Sequence, residues 1–131
     1  PQAMITLETD GRDEWASLAE PIADPFAATP ETIIARVAEA GIVGQGGAVF
    51  PTAVKLAMRK QYQLDTLLLN GAECEPYITS DDRVMRERAT EVIDGARIMA
   101  HALGVAHIII AIKGNKPQAI AIMTEAAKPF P

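Results

Sequence analysis

Apolar positions along the chain follow two different spacings. In residues 29–41 and 80–104 they recur every three or four positions, which is the spacing of one buried face of an α-helix. Residues 66–70 and 105–112 instead form short, continuous apolar runs, which are typical of strands buried on both faces in a parallel sheet. Because a helix separates the two runs, we expect a right-handed strand–helix–strand unit. The pattern therefore predicts an α/β fold.

Residues at the ends of the two long helical segments favour those boundaries. Thr29 is a predicted N-cap, Pro30 suits the first helical position, and Gly41 closes the helix. Ser80 is the predicted N-cap of the second helix, and Gly104 ends it. We predict one uninterrupted helix between Ser80 and Gly104, with its apolar face in the core.

Two shorter helices complete the helical prediction. One is expected to begin with Thr52 as its N-cap and to end near Tyr62, and the other to cover residues 117–127. Residues 113–116, Lys-Gly-Asn-Lys, imitate a phosphate loop, but they lack its glycine spacing and its lysine-serine/threonine pair. We interpret them as a strand-to-helix turn.

The chain is predicted to have two parts. Residues 1–28 are expected to hold a short strand at positions 3–8 and an irregular connection that Trp15 anchors, and residues 29–131 to form an α/β unit. Two strands are too few for a stable open sheet, because their apolar faces and edges need partners. We therefore expect further strands outside this segment, and its open edges leave self-association of the segment as an open alternative.

Composition narrows the classes of partner. The chain has 131 residues, of which 49% are hydrophobic, so it can bury a core of its own. A net charge of −5 without a basic patch argues against a nucleic-acid partner. The apolar runs are far shorter than the roughly 20 residues that span a bilayer, so we expect no direct membrane span. The single cysteine, Cys74, cannot alone form a disulfide, a cluster or a zinc site, which favours a reducing compartment.

A glycine-rich stretch is the first candidate site. Three glycines within four residues, Gly44, Gly46 and Gly47, precede a predicted helix. Glycine permits positive φ angles and close backbone approach to a ligand, while a helix start presents unpaired N–H groups. Lys55 lies in the first turn, at the unfavourable end of the helix dipole, where a bound anion would compensate its charge. The stretch predicts a phosphate site, with the alternative that Lys55 and Arg59 are simply solvated.

A second polar stretch directly follows the first apolar run. It therefore lies at the carboxyl end of a predicted strand, where open α/β sheets place ligands. Pro76 favours extended geometry for the residues before it, so Glu73 and Glu75 are expected to point to the same side. Paired carboxylates can accept hydrogen bonds from ribose hydroxyls or ring N–H groups, and the Asn70 amide can both donate and accept.

Other chemistries for the second stretch are weaker. Glu73 and Glu75 with Asp81 or Asp82 could hold a hard cation, but their spacing is not diagnostic, and we predict no metal ligand. Nothing in the pattern activates Cys74 as a nucleophile, and we predict no catalytic residue. Neither stretch matches a general nucleotide-binding motif. The residues alone point no further than a phosphate-bearing ligand on an α/β sheet.

Together, the two stretches resemble a known family. The forms G-x-G-G-A-x-F-P-T-x-x-K, from Gly44 to Lys55, and N-x-x-E-x-E-P, from Asn70, resemble the flavin- and NADH-binding subunit of respiratory complex I and its relatives. The fuller wording N-G-A-E-C-E-P-Y-I-T, followed by D-R and later by N-K-P, is most similar to the C-subunit family of bacterial Rnf electron transport complexes. This resemblance implies a Rossmann-like, three-layer αβα fold with a parallel sheet, incomplete in this segment.

The resemblance also implies which residues contact cofactors. FMN would be bound by the glycine-rich loop, its lysine and the residues after the strand, which here are Gly44, Gly46, Gly47, Lys55, Asn70 and Glu73. NADH would be faced by two residues, Phe50 stacking on a base and Glu75 accepting hydrogen bonds. A protein of this family passes electrons between NAD(H) and iron–sulfur clusters through FMN, and the membrane complex couples this to ion translocation.

Further expectations rest on the resemblance alone. The parent protein would carry two 4Fe-4S clusters whose ligands are outside this segment, and its partners would be the other subunits of the Rnf-type complex. We expect a peripheral location on the cytoplasmic side of the bacterial inner membrane, and an isolated segment that is inactive. Two alternatives stay open: the related cobalamin-reducing flavoprotein of bacterial microcompartments, and a non-catalytic scaffold domain of the same fold.

Three positions depart from the flavin-binding protein of complex I. Val49 and Tyr77 stand where that protein has glycine, and Ala72 stands where it has an acid. All three residues fit the Rnf branch better. The flavin contacts at these positions are therefore left unassigned.

Overall fold

The computed structural model describes residues 5–14, 20–45 and 47–130, in which helices alternate with two strands. The helices are α1 (Pro30–Glu39), α2 (Thr52–Ala57), α3 (Ser80–Glu87), α4 (Ala89–Leu103) and α5 (Pro117–Ala127). A 3₁₀ turn, Met58–Lys60, follows α2. The strands are β1 (Thr66–Gly71) and β2 (His107–Ile112). Both apolar runs are therefore strands, as predicted.

The two strands form the predicted parallel pair. Thr66 lies opposite His107, and Gly71 lies opposite Ile112. α3 and α4 connect the strands in the chain, which confirms the order of the strand–helix–strand unit. Because the carboxyl ends of β1 and β2 coincide, the loops that follow them begin at the same edge of the sheet.

The helices cover one face of the sheet. On that face, Ile110 packs against a buried cluster from α3, α4 and α5. Leu67 is 9% exposed, whereas its neighbour Leu68, which points to the opposite face, is 61% exposed, and Ile109 beside it is exposed as well. The prediction that both strands are buried on both faces is therefore wrong, because an apolar run does not show what covers it. The described residues form two layers, and the third layer of the implied Rossmann-like arrangement is not among them.

Most of the buried apolar residues that the structure describes form two clusters. The first joins α3, α4 and α5 and consists of Met85, Ala89, Ile93, Ala119 and Met123. The second joins α1, α2 and α4 and consists of Ile33, Leu56 and Ala102. α4 contributes to both clusters, which confirms that the apolar face predicted for residues 80–104 lies in the core.

The segment predicted as one helix over residues 80–104 is divided at Arg88. This residue has φ −132° and ψ 35°, and its N–H donates to the Val84 carbonyl at 2.8 Å, which ends α3. α4 begins at the next residue. The apolar face continues across the break, with Met85 and Ala89 in one cluster, so hydrophobic spacing could not reveal it.

Helix ends that depend on local contacts agree with prediction. The Thr29 hydroxyl accepts a hydrogen bond from the Thr32 N–H at 3.2 Å and caps α1. Gly41 and Gly104 follow α1 and α4 with φ angles of 64° and 72°, the left-handed geometry that glycine adopts freely.

The starts of α2 and α3 depend on distant contacts and differ from the prediction. Thr52 and Ser80 are each the first residue of a helix, and no side-chain hydrogen bond comes from the cap positions, Pro51 and Thr79. The Thr52 N–H donates instead to the carbonyl of Ile42 at 3.0 Å. At the start of α3, the Asp81 and Asp82 N–H groups, which a local cap would satisfy, donate to the Glu73 carboxylate.

The N-terminal part is only partly described. Residues 5–8 form no strand, and Ile5 and Leu7 are exposed. Residues 3–4 and Trp15 lie outside the described residues. Ala28 is attached to α4, because its carbonyl lies 3.0 Å from Nε2 of His101. The division into residues 1–28 and 29–131 stays a prediction.

The difference between the two sheet faces can be tested with two neighbouring leucines. Leu67→Ala should lower the free energy of unfolding by about 2–5 kcal/mol, the usual cost of truncating a buried leucine. Leu68→Ala should lower it by less than about 0.5 kcal/mol, because Leu68 is mostly exposed. Denaturant unfolding of both variants measures the difference. An equal cost would show that the Leu68 face is covered in solution.

Candidate functional site

The glycine-rich stretch forms a loop that is closed at its base. Val43 and Pro51 make an antiparallel bridge. The Gly44 N–H donates to the Phe50 carbonyl at 2.9 Å, and the hydrogen bond from Thr52 to Ile42 completes the closure. Residues 44–50 therefore stand on the start of α2 as a single loop, as their glycine content predicted.

Left-handed backbone geometry recurs along this loop. Gly47 has φ 89°, which glycine adopts without strain. Val49 has φ 52°, an unusual geometry for a β-branched residue. Glycine adopts this geometry more readily than valine does, and the resemblance to the flavin-binding protein of complex I implies glycine at this position. Gly46 lies outside the described residues.

Lys55 faces the loop from α2. A Cβ atom added to Gly44 would lie 3.7 Å from Nζ of Lys55, and that nitrogen lies 5.8 Å from the centre of the Phe50 ring. The structure thus brings together Gly44, Phe50 and Lys55, three of the predicted site residues. Among the described side chains, no carboxylate forms an ion pair with Lys55, and the residue is exposed. A cation in this setting can bind an anion.

Arg59 contacts α4 rather than the glycine-rich loop. Its Nη1 donates to the carbonyl of Ala102 at 3.2 Å, in the last turn of α4. Cations stabilise the carboxyl end of a helix, where carbonyl groups lack partners within the helix. The positive charge of Arg59 is therefore explained by α4, which leaves Lys55 as the residue that faces the loop.

The second stretch leaves β1 through a local turn. The Asn70 Oδ1 atom accepts a hydrogen bond from the Ala72 N–H at 3.1 Å, and Asn70 is exposed. Glu75 and Cys74 are also exposed, which leaves the predicted NADH contact Glu75 accessible. Tyr77 is fully exposed and has φ 65°, at a second position where the resemblance to the complex I protein implies glycine.

Glu73 is turned inward. Its side chain is 2% exposed, and Nζ of Lys116 donates to Oε2 at 2.8 Å. The N–H groups of Asp81 and Asp82 donate to its two oxygens at 2.7 and 3.4 Å. The hydrogen bond from Lys116 is the main cause of a lowered pKa of the Glu73 carboxyl, and the two backbone N–H groups add to it. The same ion pair raises the pKa of Lys116.

The bonds from Glu73 to α3 and to Lys116 were not predicted from the sequence. The carboxylate, rather than Ser80, caps α3, which begins seven residues further along the chain. The turn predicted for residues 113–116 is confirmed, since the Lys116 N–H donates to the Lys113 carbonyl at 3.0 Å. The pairing of the two strands was the signal that could have placed Lys116 near Glu73, because both residues follow strand ends at one edge of the sheet.

The two loops form separate clusters. Among the described residues, no hydrogen bond or ion pair joins residues 44–50 or Lys55 to residues 70–77, and no group of three or more histidine, cysteine or acidic side chains is arranged to hold a metal ion. The meeting of the two loops at one ligand stays a prediction, as does each cofactor contact.

The chain matches one family model and is similar to several proteins of known name. Residues 37–130 match the family model described as the Nuo51 FMN-binding domain. The chain is 58% identical over 124 residues to a protein of Rhodobacter capsulatus, covering 95% of this chain and 24% of that protein. It is 49% identical over 122 residues to a protein of Haemophilus influenzae strain PittEE, covering 93% of this chain and 18% of that protein.

A third relative, from Pasteurella multocida, is 47% identical over 121 residues, covering 92% of this chain and 14% of that protein. All three relatives are named as the C-subunit of an ion-translocating oxidoreductase complex. The chain therefore spans a quarter or less of the length of these relatives. The matched region contains both candidate loops and Lys116.

The strained geometry of Val49 can be tested with two exposed valines. Val49→Gly should leave the free energy of unfolding unchanged or raise it by up to about 1 kcal/mol, because relief of the left-handed geometry offsets the entropy of glycine. Val54→Gly is the matched control, since Val54 lies in α2 and should cost about 1 kcal/mol. Thermal unfolding of both variants gives the comparison. A loss of stability in Val49→Gly equal to that of the control would contradict the left-handed assignment.

The lowered pKa of Glu73 predicts a pH dependence of stability. Its carboxyl is held below the ordinary value of 4.5, so the folded state gains stability above that pH and loses it as the pH falls through the folded-state pKa. Glu73→Gln should therefore be less stable than the parent at pH 7, and the difference should shrink in acid. Urea unfolding at a series of pH values measures it. A difference that stays constant in acid would contradict the ion pair, and Glu125→Gln, an exposed change on α5, serves as the control.

Proposed function

Since the chain belongs to the Nuo51 FMN-binding domain family, we propose that it binds FMN and that this flavin exchanges electrons with NAD(H). The relatives, each named as the C-subunit of an ion-translocating oxidoreductase complex, support a place in an electron-transport protein. FMN supplies the chemistry, because it can take up a hydride and release electrons one at a time. The residues of the chain bind and orient the two nucleotides.

The position of Lys55 is the observation that carries this proposal. Its exposed ammonium group lies against Gly44 and near the Phe50 ring, on a closed loop that contains left-handed residues. Loops of this kind present backbone N–H groups to anions. Among the described residues no carboxylate competes for Lys55, so the charge of the cluster suits the phosphate of FMN. We place Gly44, Gly46, Gly47 and Lys55 around that phosphate and the adjoining ribityl chain.

The remaining predicted residues belong to the same proposal. Asn70, which is exposed near the end of β1, is placed at the flavin. Glu73 is bonded to Lys116 and to α3, and its direct contact with FMN stays a prediction. Phe50 and Glu75, both exposed, are placed at NAD(H). Phe50 offers an aromatic face for stacking, and Glu75 offers acceptors for ribose hydroxyls.

The proposal extends to the whole parent protein. It would pass electrons from the flavin to two 4Fe-4S clusters bound outside this segment, within a complex that couples the transfer to ion translocation. Within the described residues, no helix combines the length and apolar character of a bilayer span. We place the segment on the cytoplasmic side of the bacterial inner membrane, held there by other subunits of the complex.

Charge reversal at Lys55 tests the flavin site. Lys55→Glu should weaken FMN binding by about tenfold or more, because it replaces attraction to the phosphate by repulsion. Lys60→Glu makes the same change in charge in the exposed turn after α2 and should leave the affinity close to that of the parent. Quenching of flavin fluorescence measures both dissociation constants.

Riboflavin, which lacks the phosphate, is the second control. Its affinity should not respond to Lys55→Glu. Equal effects of the two lysine variants, or equal binding of FMN and riboflavin, would contradict the phosphate site. A full-length parent protein that binds neither flavin would favour the alternative of a non-catalytic scaffold domain.

A further inference from the structure

The Glu73 carboxylate connects three segments at the carboxyl edge of the sheet. It belongs to the loop after β1, it accepts the Asp81 and Asp82 N–H groups at the start of α3, and it pairs with Lys116 in the turn before α5. Its side chain is almost fully buried, and the Lys116 side chain is mostly buried. No other described residue bonds to all three segments.

Charged neighbours extend this connection along α3 and α5. Asp82 pairs with Arg86 at 3.0 Å, and Arg86 donates to Oε1 of Gln118 at 3.2 Å. Lys116 and Gln118 lie at the start of α5, while Asp82 and Arg86 lie on α3. The beginning of α5 is thus joined to α3 by two connections, one through Lys116 and Glu73 and the other through Gln118 and Arg86.

The backbone between β1 and Glu73 has little freedom to move. A Cβ atom on Gly71 would lie 3.0 Å from Sδ of Met85 and 3.2 Å from the carbonyl of Ala111, so the chain is pressed against α3 and β2 at this point. The Asn70 turn fixes Ala72, and Glu73 has φ 44°. A non-glycine residue keeps such a geometry when surrounding contacts hold it in place.

We propose that Glu73 and Lys116 are a positioning pair, whose buried contact fixes the loop after β1 so that Asn70 and Glu75 are presented to the nucleotides. This inference rests on the proposed function, and it adds Lys116 as a residue that acts on the site through Glu73. Asn70 precedes Glu73 by three residues and Glu75 follows it by two, and both are exposed. Asn70 lies near the carboxyl end of β1 and Glu75 lies in the loop that follows, so Glu73 fixes the course of the chain between them.

Removal of the Lys116 charge tests the pair without changing a proposed nucleotide contact. Lys116→Met should speed hydrogen exchange of the Asp81 and Asp82 amides by about tenfold or more, because the carboxylate that accepts from them is no longer held. It should also raise the dissociation constant for FMN by about tenfold. Lys113→Met removes an exposed lysine from the same turn and should change neither quantity.

Lys116→Arg is the conservative variant. It should keep most of the slow exchange of the Asp81 and Asp82 amides and most of the affinity for FMN, because it keeps the charge. Exchange of amides in α1, far from the pair, reports whether a variant is folded. Faster exchange at Asp81 and Asp82 with unchanged FMN affinity would overturn the proposal and leave a purely structural ion pair. Unchanged exchange in Lys116→Met would overturn it as well.

The two proposals fail in different measurements. If the unmutated full-length protein does not bind FMN, the proposed function is contradicted. Hydrogen exchange still decides whether Lys116 orders the loop through Glu73. If the parent binds FMN and Lys116→Met behaves like Lys113→Met in both measurements, the positioning pair is contradicted and the flavin site is supported.

Discussion

The Glu73 carboxylate lies where β1 ends, α3 begins and the turn between β2 and α5 passes. It accepts hydrogen bonds from α3 and from Lys116 in that turn. Burial of a carboxylate is costly unless hydrogen bonds and an opposite charge compensate it. Here two backbone N–H groups of α3 and the Lys116 ammonium group do so. The arrangement fixes the course of the chain at the carboxyl edge of the sheet, which is the edge where parallel sheets bind ligands.

The glycine-rich loop has the complementary electrostatic character. Glu73 is an anion whose partners lie within the fold, whereas Lys55 is an exposed cation beside glycine backbone, with no acidic partner among the described residues. In the proposed site, the cation of the first loop would bind the phosphate of a ligand, and the amide and carboxylate oxygens of the second loop would bind its polar ring. FMN, the ligand in the description of the family to which the chain belongs, has this form.

Features set by neighbouring residues were predictable from the sequence, and features set by distant partners were not. The Thr29 cap and the glycine ends of α1 and α4 follow from local spacing, and the parallel pairing follows from the order of strand, helix and strand along the chain. The starts of α2 and α3 do not, because Ile42 and Glu73 supply their hydrogen bonds from elsewhere in the chain. The exposed face at Leu68 could not be predicted, since the run of leucines is the same whichever face is covered. Of the candidate site, the position of Lys55 beside the glycine-rich loop was predicted, its contact with a cofactor stays a prediction, and the pairing of Glu73 with Lys116 was not predicted.

Amide NMR of the isotope-labelled chain during a titration with FMN tests most directly whether both loops hold one flavin. If they do, the amides of Gly47 and Val49 and those between Asn70 and Glu75 should shift together, with one saturation curve and one dissociation constant. Shifts confined to one of the two loops, or two different saturation curves, would contradict a shared site.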